Sequence, residues 1–317
     1  RFDVTTVGEA SLRLSVPTGD RLALANSLDL HVAGTEANVT GALAQLGHRC
    51  GWVSALPKSP LGERATNAFA FSGLDTSAVN WVEGGRMATL FVEYASAPRP
   101  TQVYYDRKNS SFTKISSAEI DWNYLLNTRL IHLTGITVAL SESCRELVSE
   151  VIRRAKSAEI PISFDINYRS KLWDVEKAVS VLEPMIAGID LLFCSKRDAE
   201  AVFGCVGSAE KILIQLDTRF GAKHIVMSNG RDGVYGLASG QMCHAPAVEV
   251  DIVDRIGAGD AMAAGVIHGW LGGDFAQGVQ FGALAAACAM SQAGDMLVLS
   301  REELHRLSSN RNAQLIR

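Results

Sequence analysis

The chain has 317 residues, 47% hydrophobic and 20% charged, with a formal net charge of -4. That length exceeds one small core and fits one large α/β domain. The weak acidity gives no reason to expect nucleic acid or an anionic membrane as a partner, and the most apolar long region, Phe281 to Met290, is too short to span a bilayer. The six cysteines (Cys50, Cys144, Cys194, Cys205, Cys243, Cys288) are scattered with no C-x-x-C pair, so they read as reduced core residues. Arg1-Phe-Asp-Val4 opens as a strand and not as a leader, its missing initiator Met reads as trimming, and a cytoplasmic location is expected.

In chain order, Phe2 to Val7 reads as a strand ending at Gly8-Glu9, and Leu12 to Leu14 as a half-exposed strand. After an extended, irregular stretch comes Gly34-Thr-Glu-Ala-Asn38, at the start of a helix from Ala37 to Leu46 that Gly47 ends. Cys50 to Leu56 is a strand and Leu61 to Phe71 a helix. Between Val79 and Tyr105 the texture changes. Met87 to Tyr94 and Thr101 to Tyr105 read as antiparallel strands joined by the loop 96–100. The remainder alternates strands near Leu130, Pro161, Leu191 and His224 with helices at Glu142 to Ser157, Val175 to Ala187, and near Ala199 and Ile212. Val234 to Leu237, an extended run Val248 to Val253, and helices after Gly257 and from Ala276 to Ser291 close the chain. Such alternation implies a mostly parallel sheet covered on both faces. Ligands in such folds sit beyond the carboxyl ends of the strands, so Asn167, Arg169, Ser195, Ser228, Gly230 and the stretch Asp254 to Asp260 are expected around one crevice.

The stretch Asp254-Arg-Ile-Gly-Ala-Gly-Asp260 carries the chemistry. Gly257 and Gly259 allow a tight turn, and the amides of Gly257, Ala258 and Gly259 open a helix, where unpaired N–H groups hold an anion. Asp260 then stands beside a phosphate site, which a carboxylate would repel unless it has work there. Taking a proton from an attacking hydroxyl is such work. An ordinary helix with an acid in its first turn would give the same letters.

Gly257-Ala-Gly-Asp260 after Asp254, together with Gly34-Thr-Glu-Ala-Asn38, resembles the paired motifs of the ribokinase-like (PfkB) carbohydrate kinases, in the right order along the chain. Phe164-Asp-Ile-Asn-Tyr-Arg169 and Val103-Tyr-Tyr-Asp-Arg107 most resemble the 2-keto-3-deoxygluconate kinases. The resemblance implies a three-layer α/β sandwich with a mostly parallel central sheet, in a single domain over 1–317, with a small β-sheet lid from about 12–33 and 86–108. It implies ATP and Mg²⁺ as cofactors and phosphorylation of the terminal hydroxyl of a sugar acid. Asp260 would be the base. Gly34, Asn38, Tyr105 (with Tyr104 a weaker candidate) and Asn167 would meet the sugar. Arg169 first and Arg107 second would clamp its carboxylate, since an arginine pairs with a carboxylate through two N–H groups; Arg107 also fits a surface arginine on an edge strand. Ser195, Ser228, Gly230, Gly233, Ala258 and Gly259 would meet the nucleotide. The small residues from Ala283 to Ala287 could admit adenine or simply pack tightly.

Two departures stand out. Arg255 occupies a position where the family usually has Thr, and Ser195-Lys-Arg-Asp198 replaces an N-x-x-E motif tied to magnesium use. Asp198 and Asp254 are therefore expected at most as water-mediated metal contacts. The alternatives kept open are a fructokinase, a ribokinase, a 5-dehydro-2-deoxygluconokinase, a nucleoside kinase, and a catalytically silent sensor on the same fold. Dimerisation through the lid sheet is the expected assembly.

Overall fold

The computed structural model describes residues 1–95 and 98–309. Ser96 and Ala97, the first residues of the expected loop 96–100, lie outside the described residues. In chain order the strands are β1 (Val4–Val7), β2 (Ser11–Val16), β3 (Asp29–Ala33), β4 (Cys50–Pro57), β5 (Asp75–Val82), β6 (Ala88–Glu93), β7 (Gln102–Asp106), β8 (Leu130–Thr134), β9 (Ile162–Asp165), β10 (Leu191–Phe193), β11 (His224–Ser228), β12 (Val234–Ala238) and β13 (Gln241–Ala245). Nine form one sheet in the order β13-β12-β11-β10-β9-β8-β1-β4-β5, and four form a second in the order β3-β2-β6-β7. The large sheet is parallel except at the β11-β12-β13 edge, where the strands run antiparallel.

Two apolar cores flank the large sheet, which makes the domain three-layered. One packs helices Glu142–Ser157, Val175–Ile186 and Ala209–Phe220 against it. The other packs helices Thr35–Gln45, Pro60–Phe71, Ala258–Leu271 and Phe275–Met290. Strands buried on both faces tend to be apolar, as Leu191–Phe193 is, whereas Leu130–Thr134 also buries His132 and Thr134. The last two helices approach unusually closely. A Cβ on Gly265 would lie 2.6 Å from the Phe281 carbonyl, and one on Gly269 would lie 2.3 Å from Gly278 Cα. Further along the same helix Ala283, Ala285 and Ala287 are buried, which accords with tight helix packing.

Three elements differ from expectation. Val248 to Val253 forms no strand; Ile252 and Val253 are exposed, and Val253 donates to the Met290 carbonyl, so the segment crosses the end of a helix and adds nothing to the sheet. The strand before the glycine turn is instead β13, joined to β12 through Ser239 and Gly240, both at positive φ, as a tight two-residue hairpin requires. β5 forms the far parallel edge, its polar Asp75, Ser77 and Asn80 interrupting the apolar pattern by which buried strands are read.

Candidate active site

A cavity of about 440 Å³ opens beyond the carboxyl ends of the central strands. Most of its lining comes from Glu9 after β1, the helix start Gly34 to Asn38, Asp165 to Arg169 after β9, Cys194 to Asp198 after β10, and Ile256 to Asp260, with Ile136, Ser228 and Asp295 at its margins. The small sheet roofs it with Ser11, Leu90, Val103 and Tyr105. A contiguous opening lined by Ser195, Arg197, Ser228, Asn229 and Gly230 extends it along the sheet edge.

Asp260 lies in the first turn of helix Ala258–Leu271. Gly257 precedes that helix at φ 87, and a Cβ there would sit 2.2 Å from the Asp295 carbonyl, so only glycine fits. A Cβ on Gly259 would meet nothing within 4 Å, because it points into the cavity. The Asp260 carboxylate accepts from Thr35 Oγ1 at 2.5 Å and from Asn38 Nδ2 at 2.8 Å. The early Gly34 to Asn38 motif and the glycine turn thus meet through hydrogen bonds. Burial raises the Asp260 pKa above 3.8, opposed by Thr35, Asn38 and the nearby Arg169 charge.

Asn167 joins the same network. It sits at φ 42, a left-handed conformation that Asn tolerates, and its Nδ2 reaches Thr35 Oγ1 at 3.2 Å. Its amide N–H donates to Asp165 Oδ1 at 3.1 Å. Burial pushes the Asp165 carboxyl up to about 8; the charges of Asp260 and Asp198 add to the rise and Arg169 opposes it. Glu36, beneath the site, accepts from Thr134 and Thr137, each at 2.6 Å, and burial pushes it up to about 7. Sequence reading named neither acid as a site residue. The signal was available: each is an ionisable residue beside a motif position, at a helix start or a strand end.

The arginines divide. Arg169 lines the cavity, and the only hydrogen bond of its guanidinium among the described residues goes to the Tyr168 carbonyl at 3.0 Å, leaving most of that group unengaged. Arg107 also lines it but is committed to Glu9 through Nε at 2.8 Å and Nη2 at 2.5 Å, with Ser110 donating to the same carboxylate. Tyr105 faces the cavity beside Arg107, whereas Tyr104 is 52% exposed and sits 5.7 Å from the Lys171 ammonium on the outer side. Arg255 lines the cavity at the glycine turn with no hydrogen-bond or ion-pair partner among the described residues.

On the other side, Ser195 caps a helix by accepting from the Asp198 amide at 3.0 Å, and Asp198 accepts from the Tyr168 amide at 3.3 Å. Ser228 and Gly230 line the extension, but Gly233 does not. Its φ of 95 and its contact with the Ala245 carbonyl mark a structural turn glycine. Ala258 does not line the cavity by its side chain; it begins the helix whose free amides face it. Asp254 also lies off the cavity. Arg13, Tyr94 and the Ile256 and Gly294 amides occupy its oxygens, which replaces the water-mediated metal contact considered for it. Among the described residues no group of three or more His, Cys, Asp or Glu side chains is arranged to hold a metal ion.

A deep cleft holding an aspartate at a glycine-turn helix start, with a small sheet over it, defines a phosphotransferase that acts on a small hydroxyl compound. The comparisons agree. The model of the pfkB family of carbohydrate kinases matches residues 1–301, and the chain belongs to that family of ATP-dependent sugar kinases. It is 34% identical over 306 residues, 96% of each chain, to a 2-dehydro-3-deoxygalactonokinase of Haloferax volcanii. It is 29% identical to a 2-dehydro-3-deoxygluconokinase of Bacillus subtilis, covering 96% of this chain and 94% of that one. The crystal structure of a 2-dehydro-3-deoxygluconokinase from Thermotoga maritima superposes with a TM-score of 0.92 at 32% identity, over 98% of both chains. No described helix is long and apolar enough to cross a membrane.

Proposed function

We propose that the protein transfers the γ-phosphoryl group of ATP to the terminal primary hydroxyl of 2-keto-3-deoxygluconate. The observation that carries this reading is Arg169. It is a cavity arginine that makes no ion pair within 4 Å among the described residues, on the same loop as Asn167, which hydrogen-bonds into the Asp260 network. A neutral sugar has no use for that cation, whereas a sugar acid pairs with it through two N–H groups. The name of the Haloferax relative favours a second reading, the galactonate epimer, on the same clamp.

In this reading Asp260 orients the hydroxyl and takes its proton as the phosphorus–oxygen bond forms, with Thr35 and Asn38 fixing the carboxylate. Gly34, Asn38, Asn167 and Tyr105 hold the sugar. The amides from Gly257 to Gly259 stabilise the phosphoryl oxygens, with Arg255 adding charge at the turn. Ser195, Ser228 and Gly230 face the nucleotide. Bound Mg²⁺ would neutralise phosphate charge; Asp198 and Asp165, which line the cavity, are the carboxylates that would hold it through water, in keeping with a hard cation that retains most of its waters. The small sheet, as a lid within the one domain, excludes water from the transfer. Its outer face carries Leu30, Leu14, Phe91 and Tyr104 in one register row, the support for a homodimer through the lids. Six free cysteines support a reducing, cytoplasmic setting. Steady-state phosphotransfer to both epimers, with Arg169→Ala alongside, tests the reading.

A further inference from the structure

A buried polar cluster lies against the glycine turn; its Asp295 borders the cavity, and the reaction described above gives none of its members a role. Arg13 of β2 is 1% exposed. Its Nη2 donates to Asp254 Oδ2 at 2.8 Å, and its Nη1 lies 2.6 Å from Asp295 Oδ1. Tyr94, the residue after β6, donates its hydroxyl to the same Asp254 oxygen at 2.7 Å. Asp254 and Asp295 are themselves 4% and 5% exposed. Removing three charged groups from water carries a desolvation penalty that apolar packing would avoid, so ion pairing alone is a weak explanation for the cluster.

What the two carboxylates hold is more telling. Asp254 Oδ1 accepts from the Ile256 amide at 3.0 Å, fixing the chain just before Gly257. Asp295 presses its backbone onto Gly257 from the other side, at the place where a Cβ would lie 2.2 Å from its carbonyl. The turn is thus gripped from two directions, and one guanidinium joins the grips. Arg13 and Tyr94 both come from the small sheet, whose opposite register neighbours, Leu90 and Tyr105, roof the cavity.

We infer that Arg13 is a positioning residue that locks the small sheet to the Gly257–Gly259 turn, so that the turn amides are aimed at the transferred phosphoryl group when the roof is seated. The inference rests on the phosphotransfer reading. Tyr94 is its second anchor. Arg13 touches no reacting atom; it sets where the amides stand, and a displacement of about 1 Å is enough to weaken such aim.

The test measures kcat and the KM for ATP of Arg13→Ala, Arg13→Lys and Tyr94→Phe, each corrected for folded fraction, with thermal midpoints alongside. Arg13→Ala should lose about tenfold or more in kcat, with the KM for ATP changed much less. Low-millimolar guanidinium chloride should restore part of that kcat, and sodium chloride at equal ionic strength should not. Tyr94→Phe, which removes one hydrogen bond and no charge, should lower kcat in the same direction by about threefold. If Arg13→Ala does not fold, Tyr94→Phe decides. Wild-type kcat in Tyr94→Phe and Arg13→Lys, or an Arg13→Ala protein that melts earlier yet turns over normally without response to guanidinium, overturns the inference. A wild-type enzyme that phosphorylates only a neutral sugar would defeat the sugar-acid reading instead, and the same variants would then be read with that sugar.

Discussion

Replacing Asp260 with Asn removes a proton acceptor while keeping the side chain's shape. The two existing partners can both be kept: the amide oxygen accepts from Asn38 Nδ2, and the amide nitrogen donates to Thr35 Oγ1, which now donates at 2.5 Å. Because burial already disfavours the ionised Asp260, the neutral amide should leave stability unchanged or raise it slightly. If Asp260 only positioned substrate, losing one hydrogen bond of about 1 kcal/mol would lower turnover about fivefold. As general base, its loss should lower kcat by about 10²–10⁴, or about 3–5 kcal/mol of barrier. A coupled ADP-release assay separates the two magnitudes, and calorimetry should show ATP binding retained. The wild-type acid limb of kcat carries a second signature. Asp260 must be ionised to accept a proton, and its pKa lies above 3.8, so activity falls as pH drops through that raised value. The residual activity of Asp260→Asn should lack this limb. A variant within threefold of wild-type kcat would refute the assignment.

Further predictions concern the rest of the site and the fold. Arg169→Ala should raise the KM for the sugar acid about tenfold to a hundredfold, the worth of a charge-assisted pair, and leave neutral sugars unaffected; an unchanged KM argues against the clamp. The same change removes a charge that opposes the raised pKa of Asp260 and Asp165, so the acid limb should move to higher pH. Gly257→Ala and Gly259→Ala should part company: the first meets both a positive φ and the Asp295 carbonyl and should lower the thermal midpoint, whereas the second should fold normally and lose turnover because its methyl enters the cavity. Equal thermal midpoints for the two would contradict this. His268, flanked by His48, His305 and Arg301, is pushed by burial from 6.5 to about 4. The unfolded chain therefore binds its proton first as pH falls below 6.5, and folded stability drops over that range. Between pH 8 and pH 5 the wild type should lose more stability than His268→Gln in urea melts, and parallel pH profiles would contradict it.

The central sheet and its helices were largely legible because the buried strands are short runs rich in apolar residues and the helices carry caps and glycine stops. Edge elements were not. β5 is interrupted by polar residues, and β13 is a short strand whose Met242 is exposed. Val248 to Val253 has the letters of a strand but no sheet edge to join. At the site, the loops after the parallel strands placed Asn167, Arg169, Ser195 and Ser228 around one cavity, as the strand-end rule implies. Pairings across distant segments were beyond sequence reading. Arg107 and Glu9 are 98 positions apart, and Arg13 meets Asp254 and Asp295 only after the small sheet folds over the turn. The protonation bias of Asp165 likewise depends on Asp198 and Asp260 arriving beside it.

The measurement that tests the central claim most directly is a coupled ADP-release assay with ATP and Mg²⁺ against 2-keto-3-deoxygluconate, its galactonate epimer, gluconate, fructose, ribose and adenosine. The account predicts the highest kcat/KM on a keto-deoxy sugar acid, with that preference lost in Arg169→Ala. A higher kcat/KM on fructose, ribose or adenosine, or no ADP release with any of the six, would contradict it.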